Sequence, residues 1–258
     1  MSTRKHSSLA DALIGTVLLC SVTQNAWAHS EIDVPRPYSV GESIVTAQYR
    51  IVHTCLTSTG KWIPVIAQSL IVPTQNPVLS RTDGGKIDDL NQSGTTDLGD
   101  ILQNPSLAGL IQPIVNRSVF QKIQRKTDDL DNAVGFSATD GEVPDKFYAD
   151  LPFVLVPVFF VPESCAKELI VHPVGADICR ITKTPKGGDV NIWMEHTTAK
   201  FPNPVHGIGE NSLLIRYERN MKTYPLEKRC GEGYSVDVFA SDEDIDAHLP
   251  IPGIWPKP

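Results

Sequence analysis

No apolar run in this 258-residue chain reaches the roughly 18 residues that a membrane-spanning helix needs. Residues 12–22 (ALIGTVLLCSV) are too short, and Pro157 and Pro162 interrupt residues 154–161 (VLVPVFFV), the most apolar later segment. A basic excess is also missing: 23 Lys and Arg face 30 Asp and Glu, with no basic patch, which argues against nucleic acid as a partner. The chain lacks Gly-x-Ser-x-Gly, His-Glu-x-x-His, a Gly-rich phosphate loop and catalytic carboxylates at recognisable spacing. Their absence removes the usual sequence signals of hydrolases, zinc proteases and nucleotide-binding proteins. There is no Cys-x-x-Cys, no internal repeat and no low-complexity tract.

What is present begins with an export signal. Residues 1–28 read as a secretory signal peptide, with Arg4 and Lys5 at the start, the short apolar stretch, and Ala26-Trp27-Ala28 as a small-x-small cleavage site. Processing takes 23 basic and 30 acidic residues to 21 and 29, by removing Arg4, Lys5 and Asp11. The mature protein is expected to be soluble and periplasmic or secreted, and to start at His29. A free α-amine and the His29 ring Nδ1 can close a chelate ring on one metal ion. That ligand set suits Cu(II) best among common divalent metals.

Cys20 leaves with the signal peptide. Cys55, Cys165, Cys179 and Cys230 remain, an even number that reads as two disulfides with three possible pairings in an oxidising compartment. Cys165 and Cys179 are near in sequence and could staple a local loop, and Cys55 and Cys230 would then join the ends of the domain. The 20 prolines and 18 glycines, scattered along the chain, predict many short strands and turns rather than long helices. Residues 44–52, 62–72, 153–161, 168–172, 189–195, 212–219 and 234–240 read as strands. Residues 107–124 read as partly helical, limited by Pro113. Residues 80–104 and 125–150 read as polar loops. These readings predict an all-β, immunoglobulin-like antiparallel β-sandwich. It would be one domain over residues 29–258, with a long irregular insertion at about 76–150. The tail 249–258 is expected to be extended, either docked or free.

Several short motifs, in order, resemble those of the YcnI-like family of exported copper-binding proteins (the DUF1775 domain). They are Ala28-His29 at the cleavage site, Val40-Gly41-Glu42-Ser43 before a strand, and Val52-His53-Thr54-Cys55 after it. Near the other end come Tyr224-Pro225, Cys230-Gly231, Asp246-Ala247-His248 and Pro250-Ile251-Pro252-Gly253. The proline and glycine of the family's Pro-His-Gly-Cys motif are missing at 52–55, and residues 76–165 do not align. The resemblance implies an immunoglobulin-like fold and a copper site on the N-terminal histidine. It supports pairing Cys55 with Cys230, which would tie His53 to the C-terminal motif. It also implies a tryptophan beside the metal, a role carried to Trp193, and a carboxylate that the alignment does not place.

His53 is the candidate second ligand, because the family motif puts a histidine there. Glu31 is a candidate for the carboxylate, since strand alternation would put it on the same face as His29. Glu195, His196 and His206 flank a Pro- and Gly-rich loop and form a weaker second constellation. The acidic stretch 83–100 invites a calcium reading but lacks the EF-hand loop pattern. The function expected from these residues is a non-catalytic periplasmic protein that carries, buffers or delivers copper. Its partners would be a copper ion and a membrane copper transporter or another copper protein. Two alternatives stand beside it: a copper monooxygenase of the lytic polysaccharide type, and a metal-free exported binding module using the 76–150 loops.

Overall fold

The structure, a computed structural model, describes residues 30–34, the backbone of 39–40, 44–202 and 213–257. His29, His206 and the expected signal peptide lie outside the described residues. No helix among the described residues is long and apolar enough to cross a membrane.

The described residues form three main sheets. The first has four antiparallel strands in the order β1 (Glu31–Asp33), β3 (Val45–Ile51), β11 (Ala149–Leu155) and β8 (Ile111–Pro113). The second has five antiparallel strands: β14 (Val190–Trp193), β13 (Val174–Ile178), β6 (Ala67–Ile71), β10 (Ala133–Gly141) and β9 (Phe120–Thr127). The third is mixed, in the order β2 (Ser39–Val40), β15 (Ile215–Arg219), β12 (Ala166–His172), β16 (Tyr234–Phe239) and β7 (Val78–Arg81), with β12 and β16 parallel. A small hairpin joins β4 (Cys55–Leu56) to β5 (Trp62–Ile63), and one α-helix, α1, covers Asp242–His248.

The all-β expectation holds, and alternation explains why. In β3 the side chains of Ala47, Tyr49 and Ile51 turn inward while their neighbours stay more exposed, as a half-buried antiparallel strand requires. Phe136 of β10 meets Phe153 of β11 with ring centroids 5.9 Å apart, joining the first two sheets across one core. Each such side chain stabilises by about 1.5–3 kcal/mol through the area it removes from water. The middle of the second sheet is buried on both faces: β6 and β13 have no exposed position. Its outer face packs under α1 and the tail, through Ile245, Leu249, Ile251 and Trp255. The tail is therefore docked.

Two expectations are corrected. The stretch 76–150 is not an irregular insertion: it supplies β7 to β10 and the first two residues of β11, and β10 sits inside the second sheet between β6 and β9. Residues 107–124 hold no helix but β8 and the start of β9. In β9 the less exposed positions Phe120, Ile123 and Lys126 recur every three residues, which imitates one face of a helix.

The disulfide pairing is corrected as well. Cys55 bonds Cys179 and Cys165 bonds Cys230, with Cα–Cα separations of 6.1 and 5.1 Å. Neither Cys165–Cys179 nor Cys55–Cys230 forms. Cys165 stands just before β12 and Cys179 just after β13, at opposite ends of two consecutive extended strands. β12 belongs to the third sheet and β13 to the second, so the two cysteines end in different parts of the fold and each bonds another partner. The pairing implied by the family resemblance is overturned, and with it the expected tie between His53 and the C-terminal motif.

Candidate functional site

One buried carboxylate organises the end of the sandwich where β1, β3, β13 and β14 meet. Asp177 of β13 is fully buried. Its Oδ2 accepts from Ser30 Oγ at 2.7 Å and Trp193 Nε1 at 3.0 Å, and its Oδ1 accepts from Tyr49 Oη at 2.8 Å. Burial pushes the Asp177 carboxyl above its ordinary value, while the three donors pull it back. Burial, then the adjacent Asp177 charge, hold the Tyr49 hydroxyl well above its own. Placing these residues takes three strands in register: Asp177 pairs with Asn191 across β13–β14 and with Gln68 across β13–β6.

His53 lies at the upper edge of this cluster, just past the end of β3. Its ring makes an edge contact with Trp193, centroids 5.7 Å apart, and stands 6.2 Å from Trp62. His53 Nδ1 is 3.0 Å from the Thr54 carbonyl oxygen and 3.4 Å from Asn191 Nδ2. In the tautomer with its hydrogen on Nδ1, His53 donates to this carbonyl over the shorter of the two contacts, and the neutral ring carries its lone pair on Nε2. A backbone carbonyl behind one ring nitrogen is the usual support of a metal-binding histidine. The Cys55–Cys179 bond ties the segment two residues past His53 to the segment two residues past Asp177. The disulfide thus fixes the histidine against the carboxylate.

The structure brings together His53, Trp193 and Ser30, the residue after His29. It does not bring Glu31 to them. Ser30 is buried, while Glu31 and Asp33 of β1 point outward. Glu31 pairs with Arg50 at 3.0 Å, and Arg50 also holds Asp33 and Asp150 at 3.4 and 2.8 Å. The carboxylate beside Trp193 is Asp177, which sequence reasoning missed. Its signal was a lone acid inside the otherwise small and apolar segment Val174–Ile178.

The other candidate groups are otherwise engaged. Glu195 contacts His172 at 3.4 Å, and His172 also reaches Asp237 at 2.8 Å with its ring on Phe239. His196 pairs with Asp242 at 2.9 Å. In the acidic stretch 83–100, Asp89 accepts from the backbone of Ser93 and Gly94, and Asp100 from that of Leu90, Asn91 and Asp97. That loop closes on its own amides, where a calcium site would need free oxygens. Among the described residues, no group of three or more His, Cys, Asp or Glu is placed to hold a metal.

Comparison with known proteins adds little. No known family profile and no curated protein matches the chain. A crystal structure of an uncharacterized protein from Nocardia farcinica, described as having an immunoglobulin-like fold, is similar at 8% identity and a TM-score of 0.39. The match covers 73% of this chain and 97% of that one. A likeness that loose says nothing about the site.

Proposed function

We propose that this chain is an exported, non-catalytic copper-binding protein that carries, buffers or delivers Cu(II) at its processed N-terminus. The ligands are the α-amine and imidazole of His29 together with His53, and Trp193 lies beside the ion. The observation that carries the reading is the seat of Ser30. The second residue of the processed chain is buried and hydrogen-bonded to Asp177, which also holds Trp193, whose ring touches His53. The donor set fits the metal by type: amine and imidazole nitrogens suit Cu(II), and the Thr54 carbonyl favours the His53 tautomer with its lone pair on Nε2. Glu31 is left out because Arg50 holds it. Two disulfides suit an oxidising compartment.

The deciding comparison is the mature protein against a variant carrying one extra residue before His29. The extension blocks the amine and spares the fold. Cu(II) affinity is expected to fall and the paramagnetic resonance spectrum to change. Trp193 fluorescence, quenched by Cu(II) in the mature protein, is expected to be quenched less at equal copper. An unchanged affinity and spectrum would sink the reading.

A further inference from the structure

A second candidate site lies where the last turn of α1 meets the β6–β7 loop and the β9–β10 turn. A cleft of about 520 Å³ opens there, and Gln75, Asn76, Asp128, Asp129, Leu130 and His248 line it. That volume is in the range of small-ligand pockets. The histidine in it is held from behind. His248 Nδ1 lies 2.7 Å from Asp244 Oδ1, and Asp244 is fully buried. Asp244 Oδ2 also accepts from the backbone N–H groups of Thr74 at 2.6 Å and Gln75 at 2.9 Å. With Asp244 Oδ1 as the acceptor, Nδ1 donates to it and the neutral ring carries its lone pair on Nε2. This is an imidazole oriented to accept from, or to ligate, a group in the cleft.

The charge of the cleft is negative. Asp128 spends its oxygens on Leu130 N, Asn132 N and Asn132 Nδ2, and the bonds from Asn132 hold its carboxyl below the ordinary value. Asp129 has no hydrogen-bonded or ion-paired partner among the described residues. The cations of β9 beside this turn are engaged: Arg125 pairs with Asp131 at 2.8 Å, and the buried Lys126 donates to Ser69 Oγ and the carbonyls of His248, Leu249 and Pro250. Leu130, 83% exposed, gives the rim an apolar surface.

We propose that this cleft binds a small alkylammonium ion. The ammonium sits between the Asp129 carboxylate and His248 Nε2, which accept its N–H groups, and the aliphatic body lies on Leu130. The site shares no residue with the copper reading and does not depend on it.

The test titrates 1,4-diaminobutane into the intact protein at constant ionic strength, following backbone amide shifts by NMR. Tetramethylammonium, charged but without N–H donors, is the control. Saturable shifts are expected at residues 74–76, 128–130 and 247–248, with weaker and incomplete shifts from the control. Asp129→Asn, an exposed change that leaves the fold intact, is expected to weaken binding about tenfold, equal to about 1.4 kcal/mol. His248→Gln is expected to weaken it too, with the amide spectrum reporting whether α1 stays docked. Shifts that fail to saturate, that the control reproduces in full, or that persist unchanged in Asp129→Asn overturn the proposal.

Discussion

Three donors share one carboxylate at Asp177, so removing the acceptor differs from removing a donor. Asp177→Ala removes the acceptor that Ser30 Oγ, Tyr49 Oη and Trp193 Nε1 share. A buried hydrogen bond lost in this way costs about 1–3 kcal/mol, so a total loss of about 3–5 kcal/mol is expected after relaxation. Tyr49→Phe removes one donor and leaves the carboxylate two others, for about 1 kcal/mol. Urea denaturation of both variants checks the ratio; equal losses would mean that Asp177 is not the shared acceptor. At this scale the sequence was readable in part. His53 and Trp193 drew attention by residue type and by the family resemblance. Glu31 misled because alternation was anchored on the wrong residue: it is Ser30 that faces inward, so Glu31 faces Arg50. Asp177 reads in sequence as one acid in a short apolar strand, and nothing local reveals that Ser30, 147 positions away, will meet it.

Lys126 does for the elements what Asp177 does for side chains: it fastens β9 to the C-terminal end of α1. Its ammonium is surrounded by Ser69 Oγ at 2.7 Å and three carbonyls, those of His248, Leu249 and Pro250, at 2.5, 2.9 and 2.7 Å. Burial lowers its pKa to about 7, against about 10.4 for an unfolded lysine. Between those values the unfolded chain binds a proton that the folded chain has released, so stability rises with pH across the window and is lost as pH falls through about 7. The gain is about 1.4 kcal/mol per pH unit at most, because the four oxygens favour the charged form. Unfolding free energies of the wild type and Lys126→Met, measured from pH 6.5 to 9.5, are expected to diverge, the wild type gaining with pH. Parallel curves would mean the oxygens keep the ammonium charged throughout. This lysine also shows why β9 and β10 were missed. A buried Lys breaks the polar-out pattern of an edge strand, and β10 carries Gly135 and Ser137 where larger residues would have announced a strand. Gly135 is required: a Cβ there would stand 2.1 Å from the Leu70 carbonyl oxygen of β6.

At the scale of the whole molecule, the described residues form two cores divided by one sheet. The larger core lies between the three sheets, and the smaller lies on the outer face of the second sheet under α1 and the tail. In that sheet β6 and β14 are legible from their apolar runs, but the burial of β6 on both faces is not, because the cover is a proline-rich tail with no periodicity. Trp255 closes the smaller core, fully buried and stacked on Phe201 with ring centroids 5.4 Å apart. Its Nε1 has no hydrogen-bond partner among the described residues, so its contribution there is packing. Trp255→Phe removes part of the ring but no hydrogen bond among the described residues and is expected to cost less than Trp255→Ala, which opens the larger cavity and costs about 3–5 kcal/mol. The proposed copper residues border the other core, since Tyr49, Cys55 and Trp193 belong to it. Trp255→Ala is thus expected to lower the urea midpoint and leave Cu(II) affinity of the folded protein unchanged within about twofold, as for sites without shared partners. A Cu(II) affinity that falls together with stability would show that the two faces of the second sheet act as one unit, with the tail supporting the N-terminal site through β13.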